Sequence, residues 1–249
     1  MQANVHADQI SRHLGKLQFT GQPLAGKRLV ILGFFNRSGS NLLGDYLRSM
    51  PGLHGFGEQL NHAVVIKQCQ RHGIDSFPDY VAHIAGRGKG PVFGIKASGS
   101  QIEMLKKWNI PAMFESVSVV HVFRNDIVAQ AVSFWIAKHT KQWKSFQDPA
   151  AGEQAATYSF KHLAKIVDTI GAQNARIITA CAAARLPVWN IAYENLIRDP
   201  QGELAAAGAF LGLDLAGWQV PEQTAHQKQD SPLKAEFAER LRRDLMAQW

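Results

Sequence analysis

RLVILGFFNRSGSNLLGDYL, residues 28–47, reads as three consecutive pieces. Leu29 to Phe34 is an apolar run of strand length, and Leu42, Leu43, Tyr46 and Leu47 fall on one face of a helix. Between them lies a polar turn of hydroxyl and small residues around Arg37. Such a turn at a helix start is the layout of an anion site, because the first helical turn carries unpartnered N–H groups and a partial positive charge. Gly39 removes a side chain where a ligand would crowd the backbone. Ser38 and Ser40 add hydroxyl donors, and Arg37 adds a planar cationic fork suited to a tetrahedral anion. Asn41, the next residue, joins Arg37, Ser38, Gly39 and Ser40 as a candidate contact. The same pattern also describes an ordinary strand-to-helix turn with a serine cap. It is not a nucleoside-triphosphate loop, since GxxxxGK[ST] is absent and no lysine follows Gly39.

On either side, the chain alternates strands with helices. Residues 1–25, punctuated by Gly21 and Pro23, read as a loosely attached lead-in. After the helix breaks at Pro51 and Gly52 comes HGFGEQLN, in which Glu58 stands among glycine and polar residues, either as a solvated or capping acid or as a second edge of the site. Val92 to Ile95 is a short strand ending in Lys96, placed at the strand end where open α/β sheets bind ligands. Val117 to Phe123 suits a central parallel strand. Arg124 marks its exit, Asn125 or Asp126 caps the next helix, and Ile127, Val128, Ala131, Val132, Phe134 and Trp135 form a broad apolar face. Arg124 and Ser133 together suit a second phosphate, one by charge and one by hydroxyl. His121 reads as a packed histidine within the strand.

The basic, aromatic stretch Lys138 to Gly152 suits stacking against a sugar or covering an apolar edge. Helices are expected over about Tyr158–Ile170 and Asn174–Leu186, and from Pro200 to near Phe210. The last helix carries Phe237, Leu241 and Leu245. A further strand, Val188 to Ala192, brings Tyr193 to the ligand-facing end. This order predicts one α/β domain over residues 1–249, a P-loop-like three-layer fold with a central parallel sheet flanked by helices.

At 249 residues with 46% apolar content the chain can hold one sizeable core. Its two cysteines, Cys69 and Cys181, lack metal or CxxC spacing and read as buried thiols. No run of about 18 apolar residues is present to cross a bilayer, and residues 1–20 lack a hydrophobic signal core, so a cytoplasmic protein without integral membrane association is expected. A formal charge of +7 favours anionic or phosphorylated ligands without fixing the reaction.

GFFNRSGSNLLGDYL followed by VHVFRNDIVAQAVSFW resembles the sulfotransferase superfamily, and most closely the bacterial carbohydrate sulfotransferases of the trehalose and nodulation-factor types. The shared features are the loop arginine, the GE pair Gly57–Glu58, the Gly-x-Lys strand end Gly94–Lys96, and a YEDL-like segment at Tyr193–Leu196. Asn36 departs from the usual threonine or proline, and Asn195 from the usual aspartate.

The resemblance implies that Arg37, Ser38, Gly39 and Ser40 contact the 5′-phosphosulfate of 3′-phosphoadenylyl sulfate (PAPS), and that Arg124 and Ser133 bind its 3′-phosphate. Tyr193 would neighbour the adenine, and Lys228 would supply a late basic loop. Glu58 is the implied base for the acceptor hydroxyl, with Arg37 stabilising developing charge and Lys96 steering the anion or supporting the carboxylate. The expected reaction is sulfuryl transfer from PAPS to a carbohydrate or glycolipid hydroxyl, with no metal demanded and no nucleic acid polymer as partner. A homodimer is plausible by likeness. A non-catalytic nucleotide or polyanion-binding protein is the alternative, and a nucleotide-dependent kinase is disfavoured by the missing loop lysine.

Overall fold

The computed structural model describes residues 4–141, 156–225 and 231–248. Among them, five parallel strands form one sheet: β1 (Arg28–Phe34), β2 (Leu53–Gly57), β3 (Val92–Ala97), β4 (Val117–Phe123) and β5 (Val188–Ala192), in the order β2-β3-β1-β4-β5. Strand β1 lies at the centre, with Leu29 to Gly33 in register with Phe93 to Ala97 of β3 on one side and Val117 to His121 of β4 on the other. Its apolar run is nearly continuous because both faces are covered.

On one face, Leu29, Ile31, Phe93 and Val119 pack under α1 (Val5–Ser11), α3 (His62–His72), α4 (Phe77–Ala85), α5 (Gly99–Lys107) and the C-terminal half of α7 (Phe160–Ala184), represented by Ile10, Val65, Tyr80, Ile102 and Ile177. The opposite face, with Val30, Leu32, Val120 and Ile191, packs against Leu43 and Leu47 of α2 (Ser40–Ser49) and Leu204 and Ala207 of α9 (Pro200–Phe210). Full burial of each such leucine contributes about 2 kcal/mol. A satellite core joins Val132 and Trp135 of α6 (Ile127–Thr140) to Leu163 of α7 and to Phe237 and Leu241 of α10 (Pro232–Met246). The result is the expected three-layer α/β fold.

Helix starts follow local chemistry. Asn61, Ser76, Asp126, Asp199 and Ser231 each accept a backbone N–H as caps, and prolines sit in the first turns of α4, α9 and α10. Ser98 and Gln101 form a capping box on α5.

Three sequence readings need correction. Residues 4–25 are no loose lead-in: Ile10 is fully buried, Leu14 nearly so, and the Phe19 amide donates to the Trp108 carbonyl. HGFGEQLN contributes an unrecognised edge strand, β2, whose register shifts between Gly55 and Gly57. The two helices expected between Tyr158 and Leu186 are one 25-residue helix, α7. Tyr193 directly follows β5 (Val188–Ala192), as expected, and opens a short helix, α8 (Tyr193–Arg198). Lys138 and His139 belong to the last turn of α6, and the rest of the basic, aromatic stretch from residue 142 lies outside the described residues. Among the described residues no helix is long and apolar enough to cross a membrane.

Candidate active site

All five strands point their carboxyl ends at one edge of the sheet, and the candidate residues follow those ends. Arg37 comes three residues after β1, Glu58 directly after β2, Lys96 within the last two residues of β3, Arg124 directly after β4 and Tyr193 directly after β5. The chain leaves β1 toward β2 and leaves β4 toward β5, on opposite sides, so a crevice opens between the two loops.

Helix α6 clasps the loop after β1 residue by residue. Phe134 stacks on Phe35 with ring centroids 5.8 Å apart, Gln130 Nε2 donates to the Asn36 carbonyl at 2.9 Å, and Arg37 Nε donates to Ser133 Oγ at 3.0 Å. Two residues of this loop are left-handed, Arg37 at φ +65° and Gly39 at φ +89°. That path brings the loop to the start of α2 with Ser38 fully buried, its Oγ without a hydrogen-bond partner among the described residues. A buried hydroxyl in this state costs about 1–3 kcal/mol unless a ligand satisfies it. Burial first, and then the nearby Arg124 charge, push the Arg37 guanidinium below its ordinary value, while Tyr193 acts in the opposite direction. An anion between these cations would relieve their repulsion.

Tyr193 joins the two loops. A Cβ on Gly39 would lie 2.3 Å from Tyr193 Cδ2, so only glycine lets the loop backbone approach the ring this closely. The Arg124 guanidinium carbon sits 4.4 Å from the centre of the same ring. Glu194, the next residue, accepts the Asn125 and Asp126 amides at 3.1 and 3.3 Å, and its Oε1 lies 4.0 Å from Arg124 Nε. Asp126 in turn caps α6 and pairs with Arg242 of α10 at 2.7 Å.

The second group forms around Lys96. Its ammonium is almost wholly buried, donates to Asn41 Oδ1 at 2.7 Å and to Glu58 Oε1 at 3.0 Å, and lies 4.4 Å from the Phe34 ring centre. The Glu58 side chain is 56% exposed. A solvent-facing carboxylate is therefore held at one oxygen by a fixed, buried donor. Tyr80 supports the same turn from below by donating its hydroxyl to the Gln59 carbonyl at 2.7 Å.

The structure thus brings Arg37, Ser133, Arg124, Tyr193 and Gly39 into one cluster, and Asn41, Lys96 and Glu58 into another on the same sheet edge. Ser133 is hydrogen-bonded to Arg37, whereas the sequence pairs it with Arg124. Asn41 faces Lys96, not the arginines. Gln130 builds the site without being singled out in the sequence, Phe134, read there as part of the apolar helix face, stacks on the loop, and Glu194 of the YEDL-like segment holds the start of α6. Gln130 is fully buried, and a single amide among the apolar residues of the first turns of α6 was the available signal. Lys228 lies outside the described residues. His121 is buried in β4 with Nδ1 3.1 Å from Asn190 Oδ1, and burial lowers its pKa, consistent with a packed histidine. Among the described residues no group of three or more His, Cys, Asp or Glu side chains converges as a metal site.

Arginines, hydroxyls and helix-start amides beside a Lys-held carboxylate suit a ligand with separated anionic groups, next to a proton acceptor. Residues 29–244 match the model of a family described as Stf0 sulphotransferase. The chain is similar to trehalose 2-sulfotransferase of Mycolicibacterium smegmatis, 30% identical over 128 residues, which cover 51% of this chain and 46% of that protein. It is also similar to trehalose 2-sulfotransferase of Mycobacterium tuberculosis, 34% identical over 113 residues, covering 45% and 42%. These matches span less than half the length of either curated relative. Among solved structures, a sulfotransferase from Alicyclobacillus acidocaldarius superposes with a TM-score of 0.50 at 16% identity, covering 89% of this chain and 93% of that one, which is a likeness of fold.

Proposed function

The chain belongs to the Stf0 sulphotransferase family, and from that premise we propose that it transfers a sulfuryl group from PAPS to a hydroxyl of a carbohydrate or glycolipid. The observation that carries the reading is the buried Lys96 holding exposed Glu58 at the same sheet edge as the Arg37 and Arg124 loops. The orphaned Ser38 hydroxyl fits an anionic donor, whereas the space beside Gly39 is taken by the Tyr193 ring. The names of the two curated relatives support a sugar acceptor for this chain.

PAPS supplies an activated sulfuryl group whose sulfur–oxygen bond to phosphate breaks as the acceptor oxygen bonds to sulfur. Arg37, with the first-turn amides of α2, binds the phosphosulfate end and balances charge gathering on the leaving phosphate. Arg124 binds the 3′-phosphate, with Ser133 completing the wall through Arg37. Glu58 accepts the acceptor proton at its second oxygen, Oε2, while Lys96 holds Oε1 and so fixes the carboxylate's orientation. Asn41 and the Phe34 ring keep the Lys96 ammonium in place.

Incubation of the full chain with sulfur-labelled PAPS and a panel of sugars and glycolipids tests the reading. Label transferred to an acceptor hydroxyl, with 3′-phosphoadenosine 5′-phosphate (PAP) released, is the expected result. A folded chain that binds PAPS tightly but labels none of the acceptors points instead to a nucleotide-binding protein, and one that binds no PAPS overturns the reading.

A further inference from the structure

Of two adjacent residues, Tyr193 touches both anion loops and Glu194 touches the one after β4. The Tyr193 ring edge lies against the Gly39 backbone, so closely that a methyl group there would overlap Cδ2 at 2.3 Å, and its face carries Arg124 at 4.4 Å. Tyr193 is itself buried at the start of α8, directly after β5, so the ring is fixed by the sheet. It is a rigid spacer between the Arg37 and Arg124 positions.

Glu194 closes an alternative. The amides of Asn125 and Asp126 at the start of α6 form a ready anion site, yet each is taken by one oxygen of the Glu194 carboxylate. Recognition of an anion at this end therefore falls to the Arg124 guanidinium. The anchored carboxylate faces Nε at 4.0 Å and attracts the guanidinium by charge without hydrogen-bonding it, and Nε is buried with no hydrogen-bond partner among the described residues.

We propose that Tyr193 and Glu194 are positioning residues that gauge the donor: the ring sets the separation of the Arg37 and Arg124 anion positions, and the charge of the carboxylate keeps the Arg124 guanidinium at its end of the ring. The site then selects a nucleotide bearing both 5′ and 3′ anions over one bearing the 5′ anion alone. The inference rests on the reading of this edge as a nucleotide donor site. It gives Tyr193 a role apart from contact with adenine, since one ring face is occupied by Arg124 and one edge by the Gly39 loop.

Calorimetric titration of the full chain with PAP and with adenosine 5′-monophosphate tests it, using wild type, Tyr193→Phe, Tyr193→Leu, Glu194→Gln and Glu194→Ala. Wild type is expected to bind PAP at least about tenfold more tightly than the monophosphate, the scale of one charge-assisted contact. Tyr193→Leu and Glu194→Ala should shrink that ratio about fivefold or more by weakening PAP alone, at the same scale. Tyr193→Phe keeps the ring and should keep the ratio. Glu194→Gln keeps a carbonyl acceptor and should fall between wild type and Glu194→Ala. Should Tyr193→Leu fail to fold, Glu194→Ala carries the same readout, because only a partly exposed side chain is trimmed.

Parallel losses for both nucleotides, or an unchanged ratio in Glu194→Ala, would overturn the gauge and leave the donor site standing. A ratio lost in Tyr193→Phe would also overturn it, because the hydroxyl and not the ring would then be responsible. Wild type that binds neither nucleotide would remove the donor site and the gauge together.

Discussion

Replacing Gly39 with alanine puts a methyl carbon 2.3 Å from Cδ2 and 2.9 Å from Cε2 of Tyr193, at a residue whose φ is +89°. The left-handed conformation alone costs a residue with a side chain about 1–2 kcal/mol. The overlap adds about 1–3 kcal/mol as the ring or the loop gives way. A total of about 3 kcal/mol lowers the melting temperature of a chain this size by about 6–12 °C. Gly73, the C-terminal cap of α3, separates the two costs: its φ is +63° and a Cβ there meets nothing within 4 Å. Gly73→Ala should therefore lose only about 1 kcal/mol, or about 2–4 °C. Removing the ring should relieve the steric part, so Gly39→Ala combined with Tyr193→Ala is expected to show coupling of about 1–3 kcal/mol. Thermal melts of the four variants, with and without PAP, measure all of this. Equal melting shifts for Gly39→Ala and Gly73→Ala, or strictly additive effects with Tyr193→Ala, would refute the packing of Tyr193 against the loop.

Lys96→Met keeps an apolar stem beside Phe34 and frees an already exposed Glu58 into water, so stability should change by less than about 1.5 kcal/mol. Sulfuryl transfer should nonetheless fall about 10–100-fold through loss of carboxylate orientation, which parallel melts and rate assays check. His6 accepts the His62 amide at Nδ1, 3.2 Å away, and its pKa is lowered from 6.5 by burial and then by His62. Because folding favours the neutral ring, its contribution is complete above about pH 6.5 and is lost as pH falls through the lowered folded value. Protection factors of the amides in residues 5–11, with the intrinsic pH dependence of exchange divided out, should therefore fall on acidification below pH 6.5 in wild type, and less so in His6→Gln.

The central strand and both arginine loops were legible because their signals are local. An apolar run, a polar turn and an amphipathic helix each fit within a few residues at Leu29–Leu47 and again at Val117–Trp135. Strand β2 was hidden because LHGFG carries two glycines and a bulge with Gly55 and Phe56 at positive φ, leaving no alternating pattern. Helix α8 was hidden because its six residues follow β5 with no intervening loop. The docking of residues 4–25 depends on Ile10 and Leu14 finding partners on α3, α4 and α5, which is a tertiary event. In the site, residue types were readable but pairings were not. Ser133 reaches Arg37 and not Arg124 because α6 lies across the loop, and Glu194 meets Arg124 only through the pairing of β4 with β5.

The most direct measurement is single-turnover transfer by Glu58→Gln alongside PAP titration. The glutamine preserves shape and a carbonyl acceptor for Lys96 but is a far weaker proton acceptor. PAP affinity should equal wild type and transfer should slow about 100–10,000-fold, the usual contribution of a general base. Transfer at the wild-type rate, with PAP binding intact, would contradict that role.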